Sequence, residues 1–238
     1  MPLANLLEPF ASLFFPSHCT HCSVKIGEGR DFCEDCQADI EYIKQPRCEA
    51  CSQPFDGVST AFTCPNCQGE PFHFECAVSV VRSRGVVREL IHRVKYGREL
   101  WLTRVLAKIL CAGLDDNRLV DSGSDILVPV PLHRKRLRER EFNQAEVLAR
   151  HLSVSSGLPV CEALERRRYT TTQTALDRKS RRQNLRNAFA MSKNKNVTDT
   201  NVLLVDDVLT TGSTLDACAA ILLENGACSV RALTVARG

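Results

Sequence analysis

An α/β domain on a mostly parallel sheet, preceded by a small metal-stapled module, is the fold class predicted by this 238-residue sequence. Three observations carry it. Val202 to Val205 is a continuous apolar run that ends in Asp206-Asp207 and leads, through Thr210-Thr211-Gly212-Ser213-Thr214, into a helical pattern. A second apolar run, Ile126 to Val130, ends among prolines and is also followed by helical spacing. Strands with no polar alternation are buried on both faces, as in parallel sheets whose crossovers are helices. The third observation is four C-x2-C pairs before residue 68.

Bulk properties narrow the classes. The chain is 44% hydrophobic and 25% charged, enough for a well-buried core plus a small appendage. A net charge of +3 argues against a general polyanion binder. Met1 to Phe15 has an apolar end but no basic start, and Glu8 interrupts it, so neither a signal peptide nor membrane insertion is expected. The expected compartment is the cytoplasm. Leu3, Leu6, Leu7, Phe10 and Phe14 make an apolar stripe, which predicts an N-terminal helix over 1–17 docked on the body of the protein.

Nine of the thirteen cysteines precede residue 77. Cys19-x2-Cys22 with Cys33-x2-Cys36, and Cys48-x2-Cys51 with Cys64-x2-Cys67, are knuckles that each direct two thiolates to one metal. Sequential pairing gives two structural zinc ions in a double zinc ribbon over 18–76; interleaved pairing satisfies the spacing equally well. The segment holds little apolar material, so metal binding of ~10–16 kcal/mol apparent would supply most of its folding energy. Redox-active pairs are the competing reading, but no thioredoxin-like strand-helix pattern surrounds them. His18, His21, His73 and Cys76 are not expected to be ligands.

A second domain is expected over 77–238. Val78 to Val81 reads as a strand. Val87, Leu90, Ile91 and Val94 give a helix ending at Lys95-Tyr96-Gly97, and Leu102, Val105, Leu106 and Ile109 give another that stops at Gly113. Asp115 to Ser124 reads as a polar loop. Asn143 with Glu146 has the form of a capping box, launching a helix with Leu148 and Leu152 inward. Leu215, Cys218, Ala219 and Leu222 give a helix from about Ser213, stopped by Gly226, and Val230 to Val235 is expected to close the sheet.

The C-terminal stretch has chemistry of its own. Free N–H groups at a helix start, with the hydroxyls of Thr210, Thr211, Ser213 and Thr214, suit a terminal phosphate, and Gly212 allows close approach. Ionised Asp206 and Asp207 only accept hydrogen bonds, so they suit hydroxyl donors or a hydrated metal ion. A phosphate beside vicinal hydroxyls describes a ribose 5-phosphate. The stretch resembles the 5-phosphoribosyl-1-pyrophosphate (PRPP) motif of type I phosphoribosyltransferases. It also resembles the first strand of a receiver domain, but such a domain would continue well past this point, and an ordinary strand-turn-helix is the remaining bland alternative.

Further segments extend the resemblance. Val128-Pro129-Val130-Pro131-Leu132, the basic run from Arg134 and Phe142-Asn143-Gln144 resemble the hallmark of the competence protein F (ComF) family, as do Lys95-Tyr96-Gly97, the cysteine knuckles and the pattern over 164–189. This resemblance implies a type I phosphoribosyltransferase domain in which the loop after the Val-Pro strand, with His133 and Arg134, holds pyrophosphate. It also implies a closing segment over 164–189, in which Arg168 and Arg181 would join Asp206 and Asp207 as catalytic residues. Glu141 departs from the family, which has glycine there. Either its carboxylate turns outward, or its charge weakens pyrophosphate binding without abolishing it, and weakened binding is the expectation.

Between Arg134 and Arg186 there are fourteen Lys/Arg and six Asp/Glu, a surplus of +8 concentrated beside the phosphate loop. The resemblance therefore implies binding of Mg-PRPP and transfer of its phosphoribosyl group to an acceptor that no recognisable hood identifies. The rival expectation is a non-enzymatic scaffold. It would act in natural transformation, binding single-stranded DNA alongside DNA-uptake and recombination proteins. A redox module on the cysteine pairs is a third.

Overall fold

The computed structural model of the protein describes residues 17–57, 62–69, 71–120, 123–168, 185 and 187–238. The helix expected over 1–17 lies outside them except for Ser17, and so does Arg181. Four strands form one parallel sheet: β1 (Ala77–Arg82), β2 (Ile126–Pro129), β5 (Asn201–Leu209) and β6 (Ser229–Arg237), in the order β1-β6-β5-β2. β3 (Leu164–Arg166) and β4 (Phe189–Met191) pair antiparallel apart from it. The last strand therefore fills the middle of the sheet instead of closing its edge. All nine of its residues are buried, because it pairs with β1 on one side and β5 on the other.

Strand alternation divides the core in two. Val78, Val80, Leu203, Val205, Leu233 and Val235 face a layer made by α2 (Gly85–Gly97), α3 (Leu102–Cys111) and α6 (Gln144–Ser156). Val128, Val202, Leu204, Val230 and Ala232 face α7 (Ser213–Glu224), β3, β4 and the second cysteine set. Helix α6 starts where Asn143 accepts from the Ala145 N–H, and it ends at Gly157 in the left-handed region. The stretch expected as a polar loop contains a short helix, α4 (Asn117–Val120).

The cysteine segment is fastened to the sheet. It contains α1 (Glu34–Ala38), and residues 41–43 pair antiparallel with the outer edge of β1: the Ile43 N–H donates to the Val80 carbonyl at 2.8 Å, and the Arg82 N–H to that of Glu41 at 2.9 Å. This covers what would be an open sheet edge. Asp39 caps α2 from outside, its Oδ2 accepting from the Val86 N–H at 2.7 Å; a Cβ on Gly85 would lie 1.9 Å from that oxygen. A buried ion cluster makes a further tie. Asp116 receives Arg47 at 2.7 Å and Arg118 at 2.9 Å, while Arg118 also donates to the Glu49 carbonyl and Ser52 hydroxyl. Burial alone would raise the Asp116 carboxyl, but the two guanidinium groups outweigh it and hold it below the usual range. Among the described residues no helix is long and apolar enough to cross a membrane.

Candidate functional site

The thiol groups fall into two closed sets, Cys19, Cys22, Cys33, Cys36 and Cys48, Cys51, Cys64, Cys67, each with its four Sγ atoms within 4.8 Å of one another. Pairing is therefore sequential. Tetrahedral zinc with Zn–S near 2.3 Å requires S···S of about 3.8 Å. Cys22–Cys33 at 3.6 Å and Cys51–Cys64 at 3.5 Å are close to that edge. The Cys36 N–H faces Cys33 Sγ and the Cys64 N–H faces Cys48 Sγ, donors of the kind that steady thiolates. The donor sets fit structural zinc and leave no open position on it. None of His18, His21, His73 or Cys76 belongs to either set. His21 instead lies beside one, its ring nitrogens 3.3 Å from Cys36 Sγ and 3.0 Å from Glu89.

A cavity of about 760 Å³ opens over the C-terminal ends of β1, β2 and β5. That rim is where parallel sheets present loops and helix N-termini to ligands. Asp206 and Asp207 lie within β5, which runs on to Leu209, and both line the cavity. Being consecutive in a strand, they point to opposite faces. Asp207 is buried on the α2 side, with Lys95 Nζ 2.6 Å from its Oδ2. Asp206 lies on the α7 side above Cys218, and its Oδ1 accepts from the Asp207 N–H at 2.8 Å. Burial, then the charge of Asp207, push the Asp206 carboxyl up to about 7, against an opposing pull from Lys95.

The hydroxyl-rich bend meets the same cavity through Thr210 and Thr214. The hydroxyls of Thr211 and Ser213 are 3.1 Å apart and bond each other. Gly212 is the N-cap of α7 at φ +81°, a conformation costly for other residues, and it offers no capping side chain; the Ser213 N–H faces Thr211 Oγ1 at 3.5 Å. Phe72 occupies the space a Cβ there would take, its ring 3.0 Å away, and stacks on Phe74 at 4.4 Å. Next to it, the His73 N–H donates to Asp216 Oδ1 at 2.7 Å, with His73 Nδ1 2.9 Å from the same oxygen. The chain leaving the second ribbon thus braces the bend from behind.

The expected pyrophosphate residues are arranged differently. The basic run after the Val-Pro strand is a helix, α5 (Arg134–Arg140), whose N-cap is His133, accepting from the Lys135 N–H at 3.2 Å. Arg134 is exposed at its start, and Arg168 is exposed beyond β3. The cations lining the cavity are Arg88 and Lys95 from α2, Arg140 from the end of α5 and Arg166 from β3. Arg140 lies 5.3 Å over the Tyr96 ring and donates to Gln144, and Arg166 lies 5.2 Å over Phe189. Sequence reasoning missed Arg88 and gave Lys95 no role. The signal was the polar spacing Arg88, His92, Lys95 (i, i+4, i+7), which flanks the apolar stripe of α2.

Glu141 is the C-cap of α5 at φ +72°, exposed, with Arg98 donating to its carboxylate at 2.9 Å. Of the two sequence alternatives, the outward-turned carboxylate is the one observed. A residue held in the left-handed region also explains why glycine suits the position.

Comparison with known proteins agrees with this architecture. Residues 10–68 match the Double zinc ribbon domain, and residues 142–238 match the Phosphoribosyl transferase domain. Over 229 residues the chain is 31% identical to "Competence protein F" of Haemophilus influenzae, covering 94% of this chain and 98% of that protein. It is 30% identical to "DNA utilization protein YhgH" of Escherichia coli K12 over 229 residues, 94% and 99% of the two chains. With "Competence protein ComFC" of Bacillus subtilis the identity is 28% over 217 residues, 86% and 83%.

Proposed function

The chain belongs to the competence protein F family, and on that premise we propose that it binds Mg-PRPP in the cavity above β5 and transfers the phosphoribosyl group to an acceptor. In this reading Asp206 and Asp207 take the ribose hydroxyls, and the bend from Thr210 to Thr214 takes the 5-phosphate. Arg88, Arg140 and Arg166, with His133, Arg134 and Arg168 at or beyond the rim, neutralise the departing pyrophosphate together with Arg181, which lies outside the described residues; the magnesium arrives with the substrate. The reaction would displace pyrophosphate from C1 of the sugar. Charge then grows on the leaving group while the sugar becomes oxocarbenium-like, so catalysis is positional and electrostatic.

One observation carries the reading: both acidic residues, two hydroxyls of the bend and four cationic side chains line a single cavity at the strand ends. Melting of the zinc-loaded protein with and without Mg-PRPP tests it, because a ligand of the folded state alone raises the midpoint. A rise that Asp206→Asn/Asp207→Asn abolishes is expected; an unchanged wild-type midpoint refutes it.

A second reading, DNA handling in natural transformation, is favoured by the names of the relatives and by the exposed basic residues Arg134, Lys135 and Arg138 on α5. Phosphate contacts by this face would make single-stranded DNA affinity fall steeply with salt. A flat salt response would remove the reading.

A further inference from the structure

The motif supplies two adjacent carboxylates, but strand geometry gives them different neighbours. Lys95, near the C-terminal end of α2, places its ammonium 2.6 Å from Asp207 Oδ2, with the lysine side chain 19% and the aspartate 6% exposed. Asp206 turns to the other face of the sheet, where it meets α7. We infer that Lys95 is a positioning residue of the sugar site: by pairing with Asp207 it holds that carboxylate aimed at the cavity as the acceptor for a ribose hydroxyl. The inference rests on the PRPP reading and adds to it a residue from outside the motif.

Location separates this pair from ordinary scaffolding. A buried pair kept for stability alone is commonly replaceable by apolar residues at little loss. Lys95 and Asp207 instead line the cavity, and Lys95 shares one helix face with Arg88 and His92, which line it too. An ammonium has three donors. One of them meets Asp207, and the ammonium lines the cavity in which the anionic substrate would lie. A carboxylate only accepts, and a vicinal diol offers two hydroxyl donors, so the two carboxyl groups lining the cavity are complementary to it while they are ionised.

Other charges facing the pair come from several elements. Arg88, Glu89 and His92 come from α2, Arg140 from α5 and Arg166 from β3. Beneath Asp206, the Cys218 thiol on α7 is kept neutral by burial and by the carboxylate above it. Lys95 is in direct contact with Asp207, and its charge also opposes the upward push on Asp206. Removing the ammonium therefore makes Asp206 harder to ionise.

The test follows Mg-PRPP affinity of the full zinc-loaded chain, by the melting midpoint and by titration calorimetry, from about pH 5.5 to about pH 9. Wild-type affinity is expected to fall on the acid side. In Lys95→Met that acid limb moves up by about one pH unit, with affinity near neutrality about tenfold weaker, as loss of an adjacent opposite charge requires. Lys95→Arg keeps the wild-type limb. A merely structural lysine would lower the ligand-free midpoint and leave the limb in place. Should Lys95→Met fail to fold, Lys95→Gln, which keeps a polar head against Asp207, is read in the same way. A wild-type response that these neutral variants leave unaltered overturns the role of Lys95 alone; no wild-type response at any pH overturns the PRPP reading itself.

Discussion

Replacing Glu141 by glycine and, in parallel, by alanine separates what the backbone requires at this position from what the carboxylate does there. The residue sits at φ +72° as the C-cap of α5, and its N–H donates to the Leu137 carbonyl at 2.7 Å. For a residue with a Cβ the left-handed region costs ~1–2 kcal/mol, part of which is returned because glycine has more freedom to lose on folding, ~0.5–1 kcal/mol. The ion pair to Arg98 is exposed on both sides, 57% and 67%, and such pairs contribute ~0.2–1 kcal/mol before salt screens them. Alanine loses the pair and keeps the strain, whereas glycine loses the pair and relieves the strain. The glycine variant is therefore expected to be the more stable of the two by about 1 kcal/mol, ~2–4 °C in Tm for a chain of this size. Thermal and urea denaturation of the three proteins side by side decide it. An alanine variant as stable as the glycine variant would refute the argument that backbone conformation governs this position. The same proteins test the expectation of weakened substrate binding. With the carboxylate turned out to Arg98, PRPP affinity is expected to stay within about twofold across the three.

Asp116→Ala leaves Arg47 and Arg118 buried without their carboxylate, and a loss of ~3–5 kcal/mol is expected in chemical denaturation; a loss below about 1 kcal/mol would mean the cluster is solvated in solution. Asp206 has a folded-state pKa raised to about 7 from 3.8, so its contribution to stability is fully present below about pH 4 and is lost as pH rises through 7. Asp206→Asn should therefore gain stability relative to wild type as pH rises across that window, and parallel urea-midpoint curves would show that the carboxyl titrates normally. Metal analysis should find two zinc ions per chain, and a chelator should deprotect the amides of 210–214 in hydrogen exchange, because Phe72 and His73 brace that bend from the second ribbon. Unaltered protection there after zinc removal would show that the bend holds its shape alone.

Residues near one another in sequence determined most of what was legible in advance. The knuckle spacing needed only local geometry to announce tetrahedral sites, and the apolar run before Asp206 needed only the absence of alternation to announce a buried strand. The Asn143 cap, the stop at Gly226 and the hydroxyl-rich bend are also local features, and each appears where its residues placed it. Tertiary structure alone decided the rest, because each remaining feature joins segments far apart in the chain. Sequential metal pairing, Lys95 against Asp207, Phe72 behind Gly212 and Asp39 over α2 depend on which elements become neighbours in space. The central place of β6 is of the same kind, since an apolar strand at the end of a chain is equally suited to a covered edge or to the middle of a sheet. The opposite environments of Asp206 and Asp207 show both contributions: the alternation of a strand separates them, and only the packed helices give one a lysine and the other a buried thiol.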